Sequence, residues 1–398
     1  MSASSIPKSR ASVLLGSAFL MATSAIGPGF ITQTTVFTEQ LRTSFGFIIL
    51  CSILLDIVVQ LNIWRVVSAS GMRAHDLANA FVPGLGYVLS TLIVLGGLAF
   101  NIGNVAGAGL GLQVLLGVEL WQGVVISVIL ALVLFWFKHA GRALDLFSKV
   151  LGMVMILLMV YIVYASRPPF GAALINTFKP EVINTTAIIV LVGGTVGGYI
   201  SFAGVHRLLD DGIGGPAFIR DVSRSSVKGI LLASAMRVLL FLAALGVVMA
   251  GGAIDAGNPA ASVFQLAAGE VGYRIFGLVL WCAAITSVAG SAYTSVSFLH
   301  SFHPFFDRYR SLVITVFILF SAVIFLMIGR PVRVLVVVGA LNAFVLPLAL
   351  GIILLVAQRR KFMGTYRHPL WLTVTGWVAV VLVTIMSIKT IVSDLGKM

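Results

Sequence analysis

Charge is scarce in this chain: of 398 residues only 10% are Asp, Glu, Lys or Arg, where a soluble globular domain carries about 25%. So little polar surface excludes a life in water. Cysteine is scarcer still. The two present, Cys51 and Cys282, both fall inside apolar stretches, which excludes a disulfide framework and a cysteine metal site and leaves them as small packing residues. There is no phosphate-binding glycine loop, no pair of carboxylates within one apolar stretch and no Cys/His metal spacing, so the common enzyme constellations fall away. No basic tract is interleaved with aromatics, which excludes nucleic-acid binding despite a net charge of +13.

What the chain does have is apolar length, with 59% hydrophobic residues. Runs longer than about 18 residues recur from end to end, each enough to cross a bilayer as a helix. They are continuous, whereas barrel strands would alternate over short segments. About eleven spans are expected, near 11–40, 44–67, 82–112, 122–138, 146–165, 184–209, 226–251, 271–300, 311–328, 333–357 and 370–391. Connections are short, so 1–398 reads as one transmembrane domain: a tail over 1–10, a first half over 11–165, a second over 184–357 and an extra helix over 370–391.

Basic residues favour one side. Lys8, Arg10, Arg65, Arg73, Lys138, Arg207, Arg220, Arg224 and Lys228 share it, against a thinner set including Arg42, Arg167, Arg330, Arg333 and Lys397. The positive-inside rule then predicts a multi-pass inner-membrane protein with a cytoplasmic N-terminus. Its surroundings are the lipid bilayer, and basic residues at span ends anchor to anionic headgroups.

Two spans are interrupted in corresponding places, the first at Gly27-Pro28-Gly29 and the sixth at Gly193-Gly194-Thr195-Val196-Gly197-Gly198. Paired interruptions five spans apart are what inverted repeats produce, and in transporters they mark the substrate site. Unwound backbone exposes N–H and C=O groups there, and half-helix N-termini favour anions. The competing reading is that the glycines only let helices pack closely.

These residues resemble the NRAMP divalent-metal transporter family. Gly27-Pro28-Gly29-Phe30 stands where that family carries Asp-Pro-Gly-Asn. Gln60, Gly71, Asp76-Leu77-Ala78, Asn101 to Gly107, Gly290-Ser291-Ala292, Phe298-Leu299, Leu346-Pro347 and Met363-Gly364 also look similar. The resemblance covers nearly the whole chain. It implies an all-α polytopic LeuT-type fold of the APC superfamily: two inverted five-helix repeats with broken first and sixth helices, plus one extra helix. It also implies the alternative function of a proton-coupled Mn, Fe or Mg transporter. The departures from the family are chemical. Its metal-binding Asp, Asn and Met become Gly27, Phe30 and Gly197, and its His becomes Tyr199. Backbone carbonyls alone seldom hold such cations. The third-span acids become Asn101 and Asn104, and an amide does not titrate.

The sequence therefore points to a symporter-like secondary transporter of a small organic anion, 5-oxoproline being one example. It is not an enzyme, and it needs no cofactor and no resident metal. A channel or an intramembrane enzyme is the more distant alternative. Gly27, Pro28, Gly29, Phe30, Gly197, Gly198 and Tyr199 are expected to frame an enlarged site, with Gln33, Ser201, Ser287 and Asn342 adding hydrogen bonds. For each hydroxyl, a bond back to its own helix is the competing role. The ionisable residues inside spans, Asp56 and Arg237, either pair structurally or carry coupling. His206 is either a gate or proton relay or a solvated helix end. Coupling through a co-transported proton would run through Asp56, His206 or Glu39; sodium is the other choice.

Overall fold

The computed structural model describes residues 10–136 and 140–395. The expected tail over 1–9, with Lys8, and the basic residues Lys138 and Lys397 lie outside them.

The chain is helical almost throughout, because a helix satisfies every backbone donor and acceptor where lipid offers none. The first half runs α1 (Arg10–Ala25), α2 (Pro28–Leu41), α3 (Phe45–Ser70), α4 (Ala74–Phe81), α5 (Leu85–Leu116), α6 (Leu120–Trp136), α7 (Ala140–Ser166) and α8 (Phe170–Phe178). The second runs α9 (Thr185–Val196), α10 (Ile200–Asp210), α11 (Ile219–Met249), α12 (Pro259–Ser297), α13 (Phe305–Arg308), α14 (Arg310–Ile328), α15 (Pro331–Ala357), α16 (Arg360–Met363) and α17 (Leu370–Leu395). Each of the eleven expected spans holds a helix or a pair of half-helices. Among the described residues, eight helices are long and apolar enough to cross a membrane, or nine if the bent pair ending in α8 counts as one. That test joins α2 to α3 and passes over α1 and α6 as short, which accounts for the difference from eleven.

The apolar stretch of the sixth span, α9 with most of α10, is enclosed, whereas α14 and α17 bury little and form the rim. Around the centre α5 packs along α12, α15 lies on α9 and α5, and α11 lies on α3. Leu157, Leu319, Val323, Val378 and Ile385 are exposed, as expected of a lipid-facing surface. Close approach of helices replaces the hydrophobic force that water would supply. A side chain on Gly193 of α9 would collide with the Gly339 carbonyl of α15.

The helix ends follow local chemistry. Asn184 caps α9 by accepting from the Ala187 amide at 2.9 Å, and Gly71, Gly117 and Gly329 close α3, α5 and α14 in the left-handed region. The first break comes where Pro28 lacks an N–H and starts a helix afresh as its first residue. Gly27 is extended there (φ −104°, ψ −175°), and Ile31 N resumes the ladder to Gly27 O at 3.3 Å. The second break spans Gly197 to Tyr199, with Gly198 at φ +54°, a conformation that costs an L side chain about 1–2 kcal/mol.

Candidate functional site between the broken helices

The breaks leave backbone donors unused. Among the described residues, the amides of Gly29 and Phe30 at the start of α2, and of Gly198 and Tyr199 before α10, have no backbone partner. Neither half-helix has a side-chain cap. Two partly positive helix ends therefore lie in the interior of the molecule.

The space around them differs from the open cavity expected on composition. A side chain at 27 would begin 3.4 Å from Asn104 Oδ1 and 3.8 Å from Ser287 Oγ, so two polar groups border that gap. At Gly198 the amide of Asn342, arriving from α15, occupies the room, and it crowds Gly197 and Gly96 as well. The enlargement expected at 197 and 198 is thus corrected: the volume is filled by Asn342. That side chain donates to Val338 O at 3.0 Å, while its Oδ1 is buried with no hydrogen-bond partner.

The other hydrogen-bonding side chains near the breaks divide. Ser201 donates to Val196 O across the break, and Thr286 donates to Cys282 O and Ala283 O at 3.0 Å, so both serve their own span. Gln33 reaches from α2 to Leu335 O on α15 at 2.8 Å, leaving its Oε1 buried and unpartnered. Asn101 and Asn104 join a neutral network. Asn101 donates to Ser321 Oγ at 3.1 Å and accepts from Ser291 Oγ at 2.9 Å, and Asn104 donates to Ser291 Oγ at 3.4 Å. Tyr199, 2% exposed, packs its ring edge-on to Phe100 with centroids 5.6 Å apart.

Arg237 is the side chain whose place the sequence did not give. It is 2% exposed, its guanidinium lies 4.1 Å over the Phe30 ring, and Nη1 donates to Thr195 Oγ1 at 3.0 Å, one turn before the second break. Its Nε and Nη2 have no partner. Asp56 of α3, 1% exposed, feels Arg237 and lies near Thr195, but the two charges form no direct ion pair. The simple structural pair open on sequence is corrected: Thr195 stands between the partners.

On the side of the bundle where α1 begins, ion pairs and an aromatic cluster tie the helices together. Arg73 pairs with Asp210 at 2.7 Å, and Arg10 pairs with Asp221. His206 is 7% exposed, accepts from the Ala74 amide at 3.2 Å and packs on Phe298 at 5.2 Å and Phe202 at 5.8 Å. A solvated helix end is therefore corrected to a packed plug, which His75 completes at 5.4 Å from Phe298. At the opposite side a cavity of about 520 Å³ is lined by Ala256, Gly257, Arg330, Arg333 and the Val336–Val337 turn of α15.

Among the described residues, no three His, Cys, Asp or Glu come together where they could hold a metal ion.

A family model described as natural resistance-associated macrophage protein-like matches residues 18–393. An uncharacterized membrane protein, YcsG, of Bacillus subtilis is 55% identical over 387 residues, 97% of this chain and 96% of that one. The divalent metal cation transporter MntH of Agrobacterium fabrum is 22% identical, over 97% of this chain and 88% of its own. The manganese transporter of Eremococcus coleocola superposes with a TM-score of 0.74 at 18% identity, covering 98% of this chain and 89% of that one. MhsT, solved with L-phenylalanine, superposes at 0.66 and 16% identity, covering 94% and 98%. The architecture is the LeuT-type fold.

Proposed function

The chain belongs to the natural resistance-associated macrophage protein family, and from that premise we propose a secondary active transporter that moves a small organic carboxylate by alternating access. The inverted repeats occupy 11–165 and 184–357, with 370–391 as the added helix. The protein sits in the inner membrane with its N-terminus in the cytoplasm, and catalysis is not its role.

One observation carries the choice of cargo: the Arg237 guanidinium rests on Phe30, the residue standing where the family keeps a metal ligand. A dication one ring's width further on, about 8 Å away, would be opposed by about 4 kcal/mol at an effective dielectric of ~20, roughly a thousandfold in affinity. Ionised Asp56 offsets part of this. The free amides of Gly29, Phe30, Gly198 and Tyr199 suit a carboxylate, and Phe30 and Tyr199 suit its apolar body. Each favourable helix-end contact contributes roughly 0.3–2 kcal/mol. Ser287 Oγ–H adds a donor beside Gly27, while the Asn104 and Asn342 amide oxygens can accept only from an N–H or O–H on the body of the solute.

The divalent-cation reading draws support from MntH and the manganese transporter, whose names describe metal cargo. Against it stand Arg237 and the missing donors at 27, 30 and 197. MhsT with L-phenylalanine is an example of the same fold holding a molecule with a carboxylate. A thermal-shift panel of small carboxylates beside Mn²⁺ and Fe²⁺ tests the choice. Stabilisation by a carboxylate that Arg237→Gln abolishes is expected; stabilisation by metals alone overturns it.

A further inference from the structure

Among the described residues, Asp56 is the only buried carboxylate and Arg237 the only buried guanidinium. They belong to a polar nook bordered by α2, α3, α9 and α11: α9 and α11 each pack on α2 and α3, and Arg237 of α11 reaches Thr195 of α9. Its distinguishing mark is unmet hydrogen bonding. Asp56 Oδ1, Gln60 Nε2 and Oε1, Gln33 Oε1, and Arg237 Nε and Nη2 are all buried with no partner. Buried polar atoms are nearly always partnered, and each one left alone costs about 1–3 kcal/mol. Six together mark a place built for an occupant that comes and goes.

We propose that Asp56 is the proton site that couples this transporter, switching between Gln60 when protonated and the Thr195–Arg237 pair when ionised.

The geometry provides both states. Asp56 and Gln60 are four residues apart on continuous α3 and so share one face, with Cβ atoms about 5–6 Å apart. A protonated carboxyl is a donor, and the unpartnered Gln60 Oε1 is the acceptor it lacks. An ionised carboxylate is an acceptor instead, and the unpartnered N–H groups of Arg237 are the donors free to meet it, since the Thr195 hydroxyl is given to Leu191 O at 2.8 Å. Thr195 lies in the last turn of α9, so exchanging these partners acts directly on the break at Gly197. The proton is taken from water as H⁺ and returned to water, with no bond made or broken beyond O–H. Other titratable residues on the helices packed against α3 stand at helix ends: Glu39, Arg333 and Lys389 on one side, and His75, His206 and the Arg220–Lys228 run on the other. None provides a second charge in the nook.

The proposal rests on the carboxylate reading for its direction of coupling. An anion drawn to Arg237 removes the counter-charge of Asp56, so cargo and proton bind together, and by linkage each raises the other's affinity by the same factor.

Infrared pH-difference spectra of the full chain in nanodiscs test the proton site without any cargo. The protonated-carboxyl band is expected to titrate in the wild type, to vanish in Asp56→Asn and to return at another midpoint in Asp56→Glu. Arg237→Gln is expected to raise the midpoint by about 1–3 pH units, the usual effect of removing an adjacent opposite charge. Gln60→Leu is expected to lower it, which a purely structural carboxylate would not show. A band that persists unchanged in Asp56→Asn overturns the proposal. Adding 5-oxoproline, acetate and L-lactate in turn tests the cargo. An upward midpoint shift supports coupling. No shift with any of them, while Asp56 still titrates, overturns the carboxylate reading and leaves the proton site standing.

Discussion

Gly198→Ala perturbs the second break in two separable ways. The first is conformational: φ +54° places an L residue in the left-handed region at about 1–2 kcal/mol. The second is steric, because the new methyl would meet the Asn342 amide, which is held by Val338 O and backed by Gly96 and Gly197. Overpacking of this kind costs about 1–3 kcal/mol. Together the substitution should destabilise the protein by about 2–5 kcal/mol. Gly290→Ala is the control. Nothing lies within 4 Å of a side chain there, so a helical Gly→Ala should be neutral or gain about 0.5–1 kcal/mol. Asn342→Ala in the Gly198→Ala background opens the collision, recovering the steric part while leaving the conformational part. Scanning fluorimetry of the four proteins in one detergent reads the order. The reasoning is refuted if Gly198→Ala melts with Gly290→Ala, or if removing Asn342 restores nothing.

Two further outcomes follow from contacts outside the site. Trp64 of α3 donates Nε1–H to Ser201 O at 2.9 Å, so Trp64→Phe removes this bond between helices while the carbonyl keeps its place in the α10 ladder; a loss of about 0.5–1.5 kcal/mol, read as a lower melting point, is expected. His368 precedes α17 and bonds Asn62 Oδ1 at 2.8 Å and Tyr366 Oη at 3.0 Å. Burial, then the Arg65 charge, lowers its pKa from 6.5 to about 4. The unfolded chain takes up a proton below about pH 6.5 that the folded protein refuses, so this contribution is intact above pH 6.5 and is lost as pH falls toward 4. Melting curves of the wild type should fall across that window more steeply than those of His368→Gln; parallel profiles would show that His368 does not control it.

Much of the fold was legible because lipid leaves few choices. Runs of about twenty apolar residues become helices, and Gly-Pro-Gly and the second glycine pair, Gly197-Gly198, break them, whereas the first pair, Gly193-Gly194, stays helical inside α9 and serves close packing on α15. Those signals are local. The site itself depends on contacts across more than a hundred residues, and periodicity carries no record of them. Nothing in Asn342 tells that its amide fills the space beside Gly198. Nothing in Arg237 tells that it lies on Phe30 and is separated from Asp56 by Thr195. An isolated basic residue in an apolar span was the available signal, and it marked the residue without marking its neighbours. His206 was misplaced toward solvent for a similar reason: the charged run after it suggests a helix end, while the burial comes from α4 and Phe298.

The most direct test of the cargo class is counterflow in proteoliposomes preloaded with unlabelled solute. Trans-stimulated exchange of a labelled small carboxylate, with 5-oxoproline as the first probe, is predicted, abolished by Arg237→Gln and unaffected by excess Mn²⁺. Saturable Mn²⁺ uptake that survives Arg237→Gln, with no carboxylate exchanged, would contradict the account.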